Sequence, residues 1–168
     1  YWAKSIVPCK GFLVDSFENI YLYSDFMSKV KVDTFELIPK IAKRSDIFIA
    51  KLNTNNEIQW IKHIENVSIR TGNVYKNSLT TDNSGNVYFS CIFRDSLIIF
   101  GNKYYAPQYD KIYYLKINTY GQIIWVKVPD GDEPLSQSFS FFYYTAGNKL
   151  KGKVKISNST SFNGKTIQ

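Results

Sequence analysis

Four lysines near the end of the chain have the spacing that most directly indicates a binding chemistry. They are Lys149, Lys151, Lys153 and Lys155, and each is separated from the next by one residue. Because successive side chains of a β-strand point to opposite faces, this spacing predicts four ammonium groups on one face of a strand. Such a row could bind the phosphate or sulfate groups of a polyanion. Lysines also protect exposed strand edges, and we favour this structural interpretation.

Three carboxylates form a second candidate site. Asp130, Asp132 and Glu133 lie between Pro129 and Pro134, and clustered carboxylate oxygens are the ligands that calcium prefers. The loop pattern of calcium-binding EF-hands is absent from the sequence. We therefore expect a solvated turn without a metal, and these three residues are the candidate ligands if a cation does bind. No cofactor is expected.

A single histidine, His63, is the remaining residue suited to acid–base chemistry. The sequence contains no serine-nucleophile, zinc-binding or glycine-rich phosphate-binding motif to accompany it. The sequence therefore predicts a protein that is not an enzyme. Pairs of aspartate or glutamate that only the fold brings together stay open as an alternative route to catalysis.

The composition favours a globular all-β protein. The chain has 168 residues, of which 44% are hydrophobic and 17% aromatic, and aromatic and β-branched residues are enriched in strands. No apolar run approaches the roughly 20 residues of a membrane-spanning helix, so we expect no membrane span. The two cysteines, Cys9 and Cys91, are too few for a disulfide framework, and we expect buried free thiols.

The positive charge of the chain is local. Lysine and arginine number 21 against 14 acids, which gives a net charge of +7, and residues 149–168 contain five of the cations and no acid. Only three of the cations are arginines, Arg44, Arg70 and Arg94. Because phosphate and base recognition favours the planar guanidinium group, we expect no nucleic-acid partner.

The chain contains an internal repeat of about sixty residues. Residues 47–62 align without a gap on residues 112–127, at an offset of 65 positions, and seven of the sixteen positions are identical. Trp60 and Trp125 are one identical pair, and a third Trp-x-Lys segment begins at Trp2. A residue reused in every unit indicates packing between units rather than an aromatic platform for sugars or bases.

A second block repeats at an offset of 67 positions, with residues 12–26 aligned on residues 79–93. Its matching positions are Asp15 and Asp82, Asn19 and Asn86, Tyr21 and Tyr88, and Phe26 and Phe93. We expect the aspartates, the asparagines and the three tryptophans to be structural repeat positions.

The sequence pattern predicts four short antiparallel strands in each unit, because runs of β-branched and aromatic residues alternate with clusters of Asn, Asp, Gly and Ser. The first strand ends at Asp15 or Asp82, and the others are 20–26, 47–53 and 58–64 in one unit and 87–93, 112–118 and 123–128 in the next. The segments between the second and third strands, 29–45 and 95–109, differ between the units. Residues 33–44 could form one or two helical turns, but Pro39 would interrupt them, so we favour an extended insertion or an additional hairpin.

Turn residues differ between the two units. Asn56 in one unit stands where the other has Gly121, and since both residue types tolerate left-handed backbone angles, the exchange predicts a position with positive φ. Glu18 stands where the other unit has Gly85, which weakens the same prediction for that turn.

The strand count divides the chain into four parts. Residues 1–7 would be the last strand of a preceding unit, residues 12–64 and 78–128 would be whole units, and residues 139–168 would be a partial unit. The chain would therefore hold about two and a half units.

Three segments resemble the SBBP family of β-propeller repeats: 46–53 (DIFIAKLN), 60–62 (WIK) and 82–89 (DNSGNVYF). The resemblance implies four-stranded antiparallel blades, as found in secreted, surface or scaffold proteins, and implies no chemistry. About 2.5 blades cannot close a ring, because closed propellers use about 4–8. We therefore expect part of a larger or multi-chain propeller, completed by other blades of the same protein or by other subunits.

The function predicted from these patterns is that of a non-catalytic structural or binding scaffold. Its partners would be proteins or glycans, and an extracellular, cell-surface or virus-particle location is favoured over others. Two alternatives remain open: a polyanion-binding module that uses the C-terminal lysines, and a fragment of a propeller enzyme.

Overall fold

The structure is a computed structural model that describes residues 9–42, 44–67, 78–99, 101–128, 141–145, 149–153, 160–162 and 165–167. These residues form fourteen β-strands and no helix, so the prediction of an all-β protein is confirmed. The strands are β1 (Gly11–Val14), β2 (Ile20–Phe26), β3 (Val30–Val32), β4 (Phe35–Leu37), β5 (Ser45–Leu52), β6 (Ile58–Val67), β7 (Ser78–Thr81), β8 (Val87–Ile99), β9 (Asn102–Ile117), β10 (Ile123–Lys127), β11 (Phe141–Thr145), β12 (Lys149–Lys153), β13 (Thr160–Phe162) and β14 (Lys165–Ile167).

Eight strands form one curled antiparallel sheet. Neighbouring strands follow the order β1-β2-β5-β6-β8-β9-β10, and β7 also pairs with β8. The remaining strands pair as three hairpins, β3–β4, β11–β12 and β13–β14. In chain order, β1, β2, β5 and β6 make a first four-stranded unit, and β7, β8, β9 and β10 make a second.

The two units pair their strands in the same register. The ladder of β1 and β2 matches that of β7 and β8 residue for residue at the sequence offset of 67. Trp60 lies opposite Lys51, and Trp125 lies opposite Lys116. A register shift stands beside each tryptophan. Aligned residues of the two sequences therefore occupy equivalent positions in the two units.

The two units are joined edge to edge, which the sequence did not predict. β8 continues past Phe93 to Ile99, so the segment expected between two strands extends the β8–β9 hairpin instead. Asp95 has a φ of 62° where this ladder shifts its register. Beyond that shift, Ile98 pairs with Glu65 of β6. The extension thereby connects the second unit to the last strand of the first.

The corresponding segment of the first unit forms the β3–β4 hairpin, which confirms the predicted additional hairpin. Val32 of this hairpin is fully buried and lies in one apolar cluster with Phe26 and Phe48. The hairpin therefore covers part of one face of the first unit.

The main core lies between the two units. Tyr21 and Tyr23 of the first unit share it with Phe89 and Leu115 of the second, and the rings of Tyr23 and Phe89 are 5.3 Å apart. Leu22 of the first unit is the equivalent of Phe89 in the second unit. Leu22 lies between Tyr21 and Tyr23 in β2, so its side chain points to the face opposite that of the two tyrosines. One face of the first unit therefore packs against the opposite face of the second.

A buried serine gives a first stability prediction. Ser90 is fully buried and its hydroxyl has no hydrogen-bond partner among the described residues. A buried unpaired hydroxyl destabilises a protein, so Ser90→Ala should raise the free energy of unfolding by about 1 kcal/mol. Ser24→Ala is the control, because its hydroxyl donates to the Asp25 carbonyl oxygen over 3.3 Å. Urea unfolding that shows Ser90→Ala to be the less stable variant of the two would contradict this expectation.

The two cysteines are free and differ in exposure. Cys91 is buried, as predicted, and burial raises the pKa of its thiol to about 12. Cys9 is exposed, so the prediction of a buried thiol was wrong there. Cys9 precedes β1 at an edge of the sheet, where the core does not reach it.

Candidate functional site

The turn at the start of each unit is organised by one aspartate. In turn 15–19, Asp15 Oδ1 accepts hydrogen bonds from the backbone N–H groups of Phe17 and Asn19, both over 2.9 Å. Asp82 Oδ1 accepts the equivalent bonds in turn 82–86, over 3.0 and 2.9 Å. Both turns therefore take the same shape from an aspartate and an asparagine four residues apart.

Positive backbone angles follow the same pattern. Glu18 has a φ of 63° and Gly85 a φ of 71°, so the glutamate adopts the left-handed conformation that its residue type had made doubtful. Asn56 has a φ of 63° and Gly121 a φ of 83°, which confirms the predicted positive φ at this pair.

A tyrosine completes each aspartate cluster. The Tyr21 hydroxyl donates to Asp15 Oδ2 over 3.1 Å, and the Tyr88 hydroxyl donates to Asp82 Oδ2 over 3.0 Å. Burial by itself raises the pKa of each aspartate, but the hydrogen bonds from asparagine, tyrosine and the backbone outweigh it, and both pKa values lie below the ordinary 3.8. Each carboxylate is therefore held in its charged form.

These lowered pKa values predict a loss of stability in acid. A group whose pKa is lowered by folding contributes stability that is complete above its unfolded pKa and is lost as the pH falls through its folded pKa. The free energy of unfolding should therefore decrease as the pH falls below about 4. In the Asp15→Asn/Asp82→Asn variant the decrease should be shallower. Glu18→Gln/Asp33→Asn, which removes two negative charges from exposed positions, controls for the change in net charge, and an unaltered acid slope in the Asp15→Asn/Asp82→Asn variant would contradict the expectation.

Two side chains of the first unit donate hydrogen bonds to one turn of the second, and the hydroxyl of a third lies close to another turn. The Lys51 ammonium donates to Thr119 Oγ1 over 2.8 Å, and the Trp60 indole N–H donates to the Thr119 carbonyl oxygen over 3.1 Å. The Tyr21 hydroxyl also reaches the Gly85 carbonyl oxygen, over 3.3 Å. We call Tyr21, Lys51 and Trp60 the first donor set; the turns that they meet are 82–86 and 118–122.

The lysine of this set is buried. Lys51 is 8% exposed, and its ammonium lies 5.6 Å from the centre of the Tyr21 ring. Burial lowers the pKa of Lys51, and the nearby negative charge of Asp15 opposes that shift. A buried ammonium group needs hydrogen-bond acceptors, and the hydroxyl and carbonyl oxygens of Thr119 provide them.

One glycine makes room for the donor set, and a second lies close to Thr119 of its own unit. A Cβ atom at Gly121 would lie 2.8 Å from Cγ of Trp60, and one at Gly85 would lie 3.2 Å from Oγ1 of Thr119. Carbon atoms do not approach within 3.0 Å without displacing their neighbours, so Trp60 rests on a position that only glycine leaves open. The equivalent residues of the first unit are Asn56 and Glu18.

The second unit carries the same three side chains. We call Tyr88, Lys116 and Trp125 the second donor set. The Lys116 ammonium lies 5.1 Å from the centre of the Tyr88 ring. The rings of Tyr88 and Trp125 are 6.2 Å apart at 55°, against 6.1 Å and 55° for the rings of Tyr21 and Trp60. Within the described part of the chain, no residue outside the second unit accepts a hydrogen bond from this set.

The remaining predicted site residues contribute little to this geometry. Lys149, Lys151 and Lys153 lie on β12, whose backbone is described. Trp2, Lys155, Asp130, Asp132 and Glu133 lie outside the described residues. No group of three or more potential metal ligands occurs among the side chains of the described residues. The described residues also form no helix that is long and apolar enough to cross a membrane.

His63 has a partner that the sequence did not predict. Its Nε2 atom lies 2.6 Å from Oδ2 of Asp46, which is fully buried and also accepts a hydrogen bond from the Lys40 backbone N–H. The two residues are seventeen positions apart, on the neighbouring strands β5 and β6. Only the register of those strands could have indicated the pair. Its polar atoms serve to satisfy one another and the backbone.

The geometry thus identifies a contact between the two units of one curled sheet. The chain matches no protein-family model and no curated protein sequence. The polar atoms of the first donor set are engaged by the second unit, so the chemistry they perform here is to hold two units together.

Proposed function

We propose that this protein is a non-catalytic scaffold of the β-propeller type, in which four-stranded units stack as blades. One observation carries the proposal: one face of the first unit packs on the opposite face of the second while the first donor set is hydrogen-bonded to turns of the second. The likeness to the SBBP repeat supports the same function.

The stacking has a direction, which is what a propeller requires. Contact between unlike faces can be repeated by each successive unit, whereas contact between like faces would end after two units. Two four-stranded units do not close a ring, since closed propellers use about 4–8 blades. The proposed ring would be completed by further blades of a longer protein or of other subunits.

The segments that differ between the units are the proposed partner-binding surface. Met27, Phe35 and Ile38, in or beside the β3–β4 hairpin, are 50%, 47% and 58% exposed, and neighbouring exposed apolar side chains are typical of protein-binding surfaces. Segments that vary on a constant framework commonly carry recognition. A protein or glycan at a particle or cell surface is the proposed partner class.

A double-mutant cycle tests whether the units are held together by the donor set. Lys51→Met and Thr119→Val should show a coupling free energy of about 1 kcal/mol, because the lysine donates to the threonine hydroxyl. In the control cycle, Lys116→Met and Thr119→Val should be additive within about 0.5 kcal/mol, because no hydrogen bond joins those two described residues and Lys116 lies over the Tyr88 ring instead. If both cycles are additive, stacking through the donor set is wrong.

A polyanion-binding module is the second candidate function. The observation that favours it is that Lys149, Lys151 and Lys153 all lie on β12, where alternate residues share one face. Their function would be to neutralise phosphate or sulfate groups.

The salt dependence of heparin binding distinguishes the two functions. If β12 binds polyanions, Lys151→Ala/Lys153→Ala should weaken binding to heparin and lower the slope of log affinity against log salt by about 2. Lys29→Ala/Lys31→Ala, which removes the same charge from the β3 region, should change neither quantity. Equal effects of the two double variants would leave only unspecific attraction, and the candidate would fail.

A further inference from the structure

We propose that the last four strands, β11 to β14, are the first half of a third unit, which docks on the face of the second unit that points away from the first. We call these strands the C-terminal half-unit and that surface the far face. The partner of the far face is thus a segment of this same chain. The inference rests on the proposed function, because it takes the contact between the first and second units as one that is repeated.

The C-terminal half-unit repeats the second unit at a single sequence offset. Phe142 pairs with Gly152 as Leu79 pairs with Phe89, so β11 and β12 match β7 and β8 at an offset of 63 positions. At the same offset, β13 and β14 pair as residues 97–99 and 102–104 do. The half-unit therefore reproduces the first strand, the second strand and the following hairpin of a unit, in order and in register.

The far face is covered, and β11 lies where the first strand of a third unit would lie. Phe89 and Leu115 belong to the core between the first and second units, so their strand neighbours Ser90 and Tyr114 lie on the far face. Ser90 is fully buried and Tyr114 is 4% exposed. β7 lies close to β1, and β11 lies close in turn to β7 and to β8. The first strands of successive units are thus neighbours.

The register of the half-unit indicates which of its faces docks. Three residues of the second unit lie in or against the core that it shares with the first unit: Leu79, Val87 and Phe89. Three residues of the half-unit hold the same register positions: Phe142, Leu150 and Gly152. The lysines of β12 hold the alternate positions, which belong to the opposite face. Since burying charged groups is costly and burying apolar groups is favourable, the face without lysines is the docking face.

One pair of positions has changed size on both sides of the contact. Between the first and second units, the rings of Tyr23 and Phe89 are 5.3 Å apart. Ser90 stands at the position of Tyr23 in the second unit, and Gly152 stands at the position of Phe89 in the half-unit. Two large residues are thus replaced by two small ones. Because packed interiors leave few voids, a repeated contact requires such matched sizes.

Hydrogen exchange in the full chain tests the docking. Leu150→Asn and Lys151→Asn introduce the same residue at neighbouring positions on opposite faces of β12. Leu150→Asn should lower the protection of the β7 amides by about tenfold or more, because a docked leucine stabilises the contact with that strand. Lys151→Asn should change this protection by less than about threefold. Leu150→Ala is the milder variant to compare if Leu150→Asn also lowers protection in β5.

A second measurement needs no variant. In the unmodified chain, the Hβ protons of Ser90 should show nuclear Overhauser contacts to the Hα protons of Gly152. Contacts of Ser90 to the side-chain protons of Lys151 or Lys153 instead would place the opposite face of β12 on the second unit and overturn the inference.

The outcomes separate the inference from the proposed function. Equal effects of the asparagine variants at positions 150 and 151 on β7 would also overturn the docking of the half-unit. The coupling between Lys51 and Thr119 judges the stacking of the first two units independently. A coupled pair together with equal effects on β7 would therefore remove only the third unit.

Discussion

Gly121→Ala should lower the free energy of unfolding by about 2–5 kcal/mol. Two costs add at this position. An L-residue at a φ of 83° is strained by about 1–2 kcal/mol. The new Cβ would also lie 2.8 Å from the Trp60 ring, and forcing atoms into packed space costs about 1–3 kcal/mol. Urea unfolding monitored by circular dichroism measures the sum.

Gly101→Ala is the matched control for this prediction. Gly101 has a φ of 76°, but a Cβ there would meet nothing within 4 Å. Its cost should be the strain alone, about 1–2 kcal/mol. The excess at Gly121 isolates the contact with Trp60. Equal losses for the two variants would show that Trp60 does not rest on Gly121.

Trp60→Ala should lower the free energy of unfolding by about 3 kcal/mol. The substitution removes a ring that packs against the core between the units and a hydrogen bond to the Thr119 carbonyl oxygen. Trp125→Ala should cost less, about 1–2 kcal/mol, because no described residue outside its own unit accepts a hydrogen bond from Trp125.

Hydrogen exchange shows which strands lose stability in each tryptophan variant. Because Trp60 joins two units, Trp60→Ala should reduce hydrogen-exchange protection of backbone amides in β9 as well as in β5. Trp125→Ala should leave β5 protected. Loss of protection confined to the first unit in Trp60→Ala would mean that the tryptophan stabilises only its own sheet.

Local patterns explain why the strands and turns could be predicted from the sequence. The run 20–26 is bounded by turn residues and is the strand β2 without change. The exchange of Asn56 for Gly121 indicated a positive φ because few residue types tolerate that conformation. These features depend on neighbouring residues, which a sequence displays directly.

Features that depend on which faces meet could not be predicted. Successive residues 20–23 (IYLY) are all hydrophobic, so alternation does not indicate which face of β2 meets the other unit. Lys51 gives no sign of burial in the sequence, because its partner Thr119 is 68 positions away. The pairing of Ile98 with Glu65 likewise depends on how far a hairpin extends.

One signal of the contact was present in the sequence. Glycine occurs at both turn positions of the second unit and at neither position of the first. A difference of this kind between otherwise similar units indicates that something approaches the backbone of one of them closely. The tryptophan repeated in each unit was the residue that required the space.

Nuclear Overhauser contacts of the Trp60 indole ring test the central claim most directly. If the units stack as described, the ring should show contacts to the Gly121 Hα protons, and those protons should shift upfield in its ring current. Contacts of the Trp60 ring to β5 and β6 alone, with unshifted Gly121 Hα resonances, would show that the two units do not meet at this position.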